Sequence, residues 1–185
     1  MCLIFKERKK MSKNDVCCGS LGNEFEISKV VTIKFKKLSK DAIIPQYQKE
    51  GDAGFDFHAV IDNKDYVTGE KEICIASKEQ KIVRTGLAMS IPKGYELQIR
   101  PRSGLAAKHA ITITNSPGTI DSFFRCEIKI IIYNMGSEEF KICQGDRIAQ
   151  GVLNKLPLAV IEEIEDFSQE DNENDRGGGF GSTGK

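Results

Sequence analysis

The spacing of apolar residues constrains this chain more than any other feature. Between about residues 29 and 165 they come in short runs with period two and rarely at helical intervals. Val31, Ile33 and Phe35 alternate with Thr32, Lys34 and Lys36. Tyr95, Leu97 and Ile99 alternate with Glu96, Gln98 and Arg100, directly after a Pro92-Lys93-Gly94 turn signal. Side chains along a strand point to opposite faces in turn, so each run offers one face to a core and one to solvent. Ile128 to Tyr133 is rich in β-branched residues, and Asn134-Met135-Gly136-Ser137 reads as a turn ahead of Phe140 and Ile142. Many short strands with such punctuation predict an all-β sandwich or barrel. Only Leu105-Ala106-Ala107-Lys108 has a clear helical preference, and it is short.

Composition narrows the rest. A chain of 185 residues is one domain with tails, long enough for a sizeable core. Its 27 Lys and Arg balance 27 Asp and Glu, so no overall field drives it toward nucleic acid or a membrane. No apolar run approaches the roughly 20 residues of a spanning helix. Met1 to Phe5 is too short for a secretory signal, and the charges Lys6 to Lys10 follow it instead of preceding it. The six cysteines show no C-x-x-C spacing and only two histidines accompany them, which predicts free thiols and no zinc site. The expected location is the cytoplasm, or the nucleus or an organelle in a eukaryote. Residues 1–28, without periodicity, read as a mobile extension; 29–165 form the β domain; 166–185 form a flexible acidic linker and a glycine-rich arm.

That arm carries a false lead. Gly179 to Lys185 spells G-x-x-x-x-G-K, the opening of a P-loop, but the residues before it are acidic and polar where a P-loop has a buried strand. The chemistry outlasts the motif. Glycines, two hydroxyls and Arg176 supply backbone N–H groups, small donors and a guanidinium that suit an anionic ligand. Further back, Arg102-Ser103-Gly104 stands where a strand meets the short helix, offering a phosphate site or simply a helix cap. In Asn115 to Asp121 a Pro117-Gly118 turn exposes main-chain donors and acceptors able to read the edge of a base. Gly145-Asp146-Arg147 reads as a hairpin turn or a plain turn, and His58 and His109 as structural or exposed.

Taken in order, Ala53-Gly54-Phe55-Asp56-Phe57, Pro101 to Ala106, Asn115 to Glu127, Gly145 to Gln150 and Arg176 to Gly184 resemble the five motifs of the trimeric dUTP pyrophosphatases (deoxyuridine 5′-triphosphate nucleotidohydrolases). The resemblance spans roughly residues 29 to 185. It implies an all-β jelly roll with one short helix and a flexible C-terminal arm, assembled as a homotrimer with sites shared between subunits. It also implies cleavage of dUTP to dUMP and pyrophosphate with Mg²⁺, which supplies dUMP for dTMP synthesis and keeps uracil out of DNA. Nucleic acid and membrane are not implied partners.

Carried over residue by residue, the resemblance makes Asp121 the carboxylate that orients and deprotonates the attacking water. Arg102, Ser103, Gly104 and Gln150 would hold the triphosphate. Asn115, Gly118, Thr119, Ile120 and Lys129 would read uracil and the deoxyribose. Asp56 would support the water shell of Mg²⁺, itself held mainly by the phosphates. Arg176, Phe180, Gly181, Ser182 and Thr183 would close over the nucleotide as a lid. Two positions depart from the pattern Ile-Asp-x-x-Tyr-Arg-Gly-Glu: Phe124 keeps the ring expected to exclude ribose but loses the hydroxyl, and Cys126 replaces a glycine. Cysteine there is harmless in an ordinary backbone conformation and costs about 1–2 kcal/mol at positive φ. Two alternatives share the fold: a dCTP deaminase-like enzyme, and a nucleotide-binding regulatory trimer without turnover.

Overall fold

The computed structural model describes residues 30–62, 71–173 and 175. The expected N-terminal extension therefore lies outside the described residues, as does the arm from Arg176 onward. The described residues from Val31 belong to one compact unit.

The described residues form eleven strands in chain order: β1 (Lys34–Lys37), β2 (Gly54–His58), β3 (Glu72–Ile75), β4 (Gln80–Arg84), β5 (Leu87–Ser90), β6 (Tyr95–Arg100), β7 (Ile111–Ile113), β8 (Gly118–Ile120), β9 (Lys129–Asn134), β10 (Phe140–Cys143) and β11 (Arg147–Lys155). All the strand pairs are antiparallel. A four-stranded sheet runs β2-β11-β6-β8, a three-stranded sheet β4-β9-β7, and β1-β5 and β10-β3 form ribbons. The alternation read from sequence decides what each strand buries. In β6, Leu97 and Ile99 are buried between half-buried neighbours; in β9, Ile130, Ile132 and Asn134 point inward.

The core gathers these inward faces around Phe57, Ile75, Val83, Leu87, Leu97 and Ile132. Phe35, Phe55 and Phe57 stack edge to face, with centroids 5.7 to 6.3 Å apart. Gly151, mid-strand in β11, lets those rings approach the backbone: a Cβ there would lie 2.7 Å from Phe57 and 2.9 Å from Phe55. Asn134, wholly buried, donates to the carbonyls of Ile75 (3.0 Å) and Glu138 (2.7 Å) and accepts from the Gly136 N–H (2.9 Å), pinning the turn after β9.

Helix α1 (Ser103–His109) is the expected short helix. Its N-cap is Arg102, without a side-chain capping bond, so Ser103 is the first helical residue and not the cap. Two expectations need correction. The turn at Gly145 joins no hairpin, because β10 pairs with β3 whereas β11 pairs with β2 and β6. And the acidic linker contains a second helix, α2 (Gln169–Glu173), opened by Ser168 and Asp171, which bond reciprocally.

Candidate active site

Alternation in β2 sends Phe55 and Phe57 into the core and leaves Asp56 on the other face. There two arginines enclose its carboxylate. Arg102 donates Nε to Oδ1 at 2.9 Å, and Arg147 donates Nη1 to Oδ2 at 3.3 Å. Arg102 Nη1 also donates to the carbonyl of Arg147 at 3.0 Å, locking the two chain segments together. Gln150 stands opposite Asp56 on one side and Arg100 on the other, and donates Nε2 to the carbonyl of Pro101 at 2.8 Å. Residues from three distant segments thus meet in one cluster with more positive than negative charge. Beside it a cavity of about 360 Å³ is lined by Arg102, Leu105, Asp146, Arg147 and Ile148, among others. Ser103 and Gly104 are exposed in the first turn of α1.

Arg147 was read from sequence as part of a turn and of the fourth motif, with no role of its own. Its signal was its place: the first residue of a strand that pairs with the strand carrying Asp56, opposite His58. His58 itself is half-buried, and its Nδ1 is buried without a hydrogen-bond partner among the described residues. Burial, above all, lowers its pKa; the neighbouring Asp56 pulls the other way, and Arg147 and Arg102 add to the lowering.

A second group lies across β6. Gly118 pairs with Ile99 and Ile120 with Leu97, so β8 runs along the edge of β6 opposite β11. Asn115, Gly118, Thr119, Ile120 and Lys129 line a small cavity of about 40 Å³ with Ile99 and Ile113. The peptide bond Ser116–Pro117 is cis. Gly118 admits no side chain freely, since a Cβ would stand 3.3 Å from Asn115 Nδ2 and 3.4 Å from Ile99 Cβ. The exposed Asp121 follows directly after β8, and its carbonyl accepts the Phe124 N–H at 3.0 Å. Arg125 Nη1 closes the loop by donating to the carbonyls of Ser122 (2.6 Å) and Phe124 (2.9 Å). Phe124 is 36% exposed.

The predicted residues thus fall into two sets on either side of β6: Asp56, Arg102 and Gln150, and Asn115, Gly118, Thr119, Ile120 and Lys129 with Asp121 and Phe124 adjoining. Arg176, Phe180, Gly181, Ser182 and Thr183 lie outside the described residues. Among the described residues no three or more His, Cys, Asp or Glu side chains are placed to hold a metal ion. Asp56 already gives both oxygens to arginines, which suits contact with a metal's water shell better than direct ligation.

The family model for dUTPase matches residues 40–184. The chain belongs to the dUTPase family. It is 49% identical over 158 residues to the deoxyuridine 5′-triphosphate nucleotidohydrolase of Wolinella succinogenes, covering 85% of this chain and 97% of that protein. The enzyme of the same name from Helicobacter pylori strain J99 is 46% identical over 153 residues, with 82% and 96% covered. Among solved structures, a mutant Staphylococcus bacteriophage 80alpha dUTPase with dUpNHpp superposes with TM-score 0.67 at 26% identity, covering 83% of this chain and 99% of that one. A mutant dUTPase from phage phi11 of S. aureus, whose structure details the coordination of a structural Mg(II) ion, shares the fold with TM-score 0.63 at 22% identity and covers 75% and 99%. The jelly roll of the dUTPases is therefore the fold of this chain.

The departure at Cys126 has a structural answer. Among the described non-glycine residues only Lys78 and Ala110 have positive φ. Cys126 occupies an ordinary backbone conformation with its side chain exposed, so a glycine is not required there.

Proposed function

We propose that this chain hydrolyses dUTP to dUMP and pyrophosphate by attack of an Asp121-activated water on the α-phosphate. The observation that carries the reading is a main-chain-lined cavity under Asn115 to Ile120 with Asp121 directly beside it, in a chain that matches the dUTPase model over residues 40–184. Asp121 is exposed on the loop directly after β8, where its carboxylate can reach a water outside the cavity. Arg102, Ser103, Gly104 and Gln150 hold the triphosphate. Asp56, gripped by Arg102 and Arg147, fixes both guanidiniums in place.

Base selection follows from shape. Gly118 keeps the turn against Asn115 and Ile99 close, and a fixed main-chain donor and acceptor pattern leaves buried groups unpaired against cytosine, at about 1–3 kcal/mol per group. Phe124 packs where a ribose 2′-hydroxyl would go. Mg²⁺, when bound, supplies charge neutralisation along the phosphate chain. The residue that would support its water shell is Asp56.

We further propose a homotrimer. Leu158, Val160 and Ile161 are 99%, 80% and 96% exposed, and Leu156, Ile164 and Phe167 extend the same run. So many exposed apolar side chains along one segment favour a partner surface. The arm with Arg176, Phe180, Gly181, Ser182 and Thr183 closes over the nucleotide of a neighbouring subunit, excluding water from the reacting phosphate. The test is Asp121→Asn. Nucleotide binding is expected to persist while kcat falls about 10²–10⁴-fold; undiminished turnover would remove Asp121 from its role.

A further inference from the structure

The loop that carries Asp121 and Phe124 is gripped hardest at its far end. Residues 121 to 125 bond within the loop, through Phe124 N–H to the Asp121 carbonyl and Arg125 to the carbonyls of Ser122 and Phe124. Glu127 bonds outward. Its carboxylate, only 12% exposed, accepts Arg84 Nε at 3.0 Å on both oxygens and the Gly86 N–H at 2.9 Å. The next residue continues the grip: Ile128 donates its N–H to the Leu87 carbonyl at 2.8 Å, and its carbonyl accepts the buried Thr85 hydroxyl at 2.7 Å. Arg84 also pairs with Asp62 and stands directly opposite Lys129 in the β4–β9 register. Lys129 borders the small cavity. Two like charges face each other across that pair, and the acids on Arg84 offset the repulsion.

The loop thus has two anchors. One is β8, paired with β6; the other is the ion pair between Arg84 and Glu127. A carboxylate held by charge-assisted bonds sets an anchor more tightly than neutral bonds would, since these are roughly twice as strong. Slack at that anchor is carried straight into the position of Asp121 and Phe124. A shift of about 1 Å at a reacting group costs on the order of a hundredfold in rate.

We infer that Arg84 and Glu127 are positioning residues for the reaction: their ion pair places the 121–127 loop and so sets both turnover and discrimination against the ribonucleotide. This rests on the proposed dUTP hydrolysis. The experiment compares the full chain with Glu127→Gln, Arg84→Gln and the double variant, in steady-state kinetics on dUTP and UTP with melting temperatures alongside. Glu127→Gln keeps the shape and removes the charge. The expected result is a fall of about tenfold in kcat for dUTP with KM changed by less than about threefold, and a comparable fall in the ratio of kcat/KM for dUTP to that for UTP. The double variant should lose no more than the worse single one, because both remove one interaction. Arg84→Lys, which keeps the charge without the fork, should fall between. Val83→Ala, in the buried core of the same strand, should lower the melting temperature and leave kcat and the nucleotide ratio alone. Folded Glu127→Gln with the parent's kcat and ratio, or a Val83→Ala that loses as much kcat and ratio for the same drop in melting temperature, would overturn the inference. A parent chain that releases no pyrophosphate from dUTP would instead remove the proposed activity, and this inference with it.

Discussion

His58 shows how one side chain can report on its surroundings. It sits on β2 beside Asp56 with a buried, unpartnered Nδ1, and burial lowers its pKa. The folded state therefore prefers the neutral ring, while the unfolded chain takes up a proton near the reference value of about 6.5. The stability this confers is fully present above that value and is lost as pH falls toward the lowered folded pKa. Lowering the pH from about 7.5 to about 5.5 should depress the melting temperature, and His58→Leu should make that drop smaller. An equal drop in both proteins would show that other groups set it. Single residues were legible from sequence where a motif named them: Asp56, Arg102 and Gln150 do meet in space. Arg147 was not, because a turn followed by a strand does not reveal which distant carboxylate the arginine will find. The consequence of Cys126 was equally hidden, since it depends on a φ angle.

Elements follow local pattern well and pairing poorly. The alternation of β6 and the β-branched run of β9 gave both strands with their buried faces. The partnership of β10 with β3 could not be read, because pairing across some seventy residues leaves no local signature. α2 was missed although Ser168 and Asp171 are spaced as a capping pair; the acidic composition around them outweighed that signal. The element most sensitive to change is β11, which pairs with β2 on one edge and β6 on the other. Gly151 lies at its closest approach to Phe55 and Phe57. Gly151→Ala forces overpacking and should cost about 1–3 kcal/mol. For a chain of this size that lowers the melting temperature by about 2–4 °C per kcal/mol. An unchanged melting temperature would mean that the rings can yield.

At the scale of the whole molecule, the sequence specified an all-β sandwich or barrel through its punctuation, and five ordered motifs narrowed it to one family. The division into sheets and ribbons appears only in three dimensions, because the same alternation serves any neighbour with a complementary face. Gln150 on β11 and Gly118 to Ile120 on β8 flank β6, so the folded sheet, not the chain order, ties the two groups of candidate residues into one framework. The exposed apolar run from Leu156 to Phe167 belongs to the same scale, and it is the segment on which the proposed association of copies rests. The central claim is that this framework selects and cleaves dUTP. The most direct test incubates the purified full-length chain with Mg²⁺ and dUTP, dTTP, dCTP or UTP in turn, and measures pyrophosphate and monophosphate release. The account predicts equal amounts of dUMP and pyrophosphate from dUTP, with kcat/KM for each other nucleotide at least about a hundredfold lower. Absence of pyrophosphate from dUTP, or release of ammonia from dCTP in its place, would contradict it.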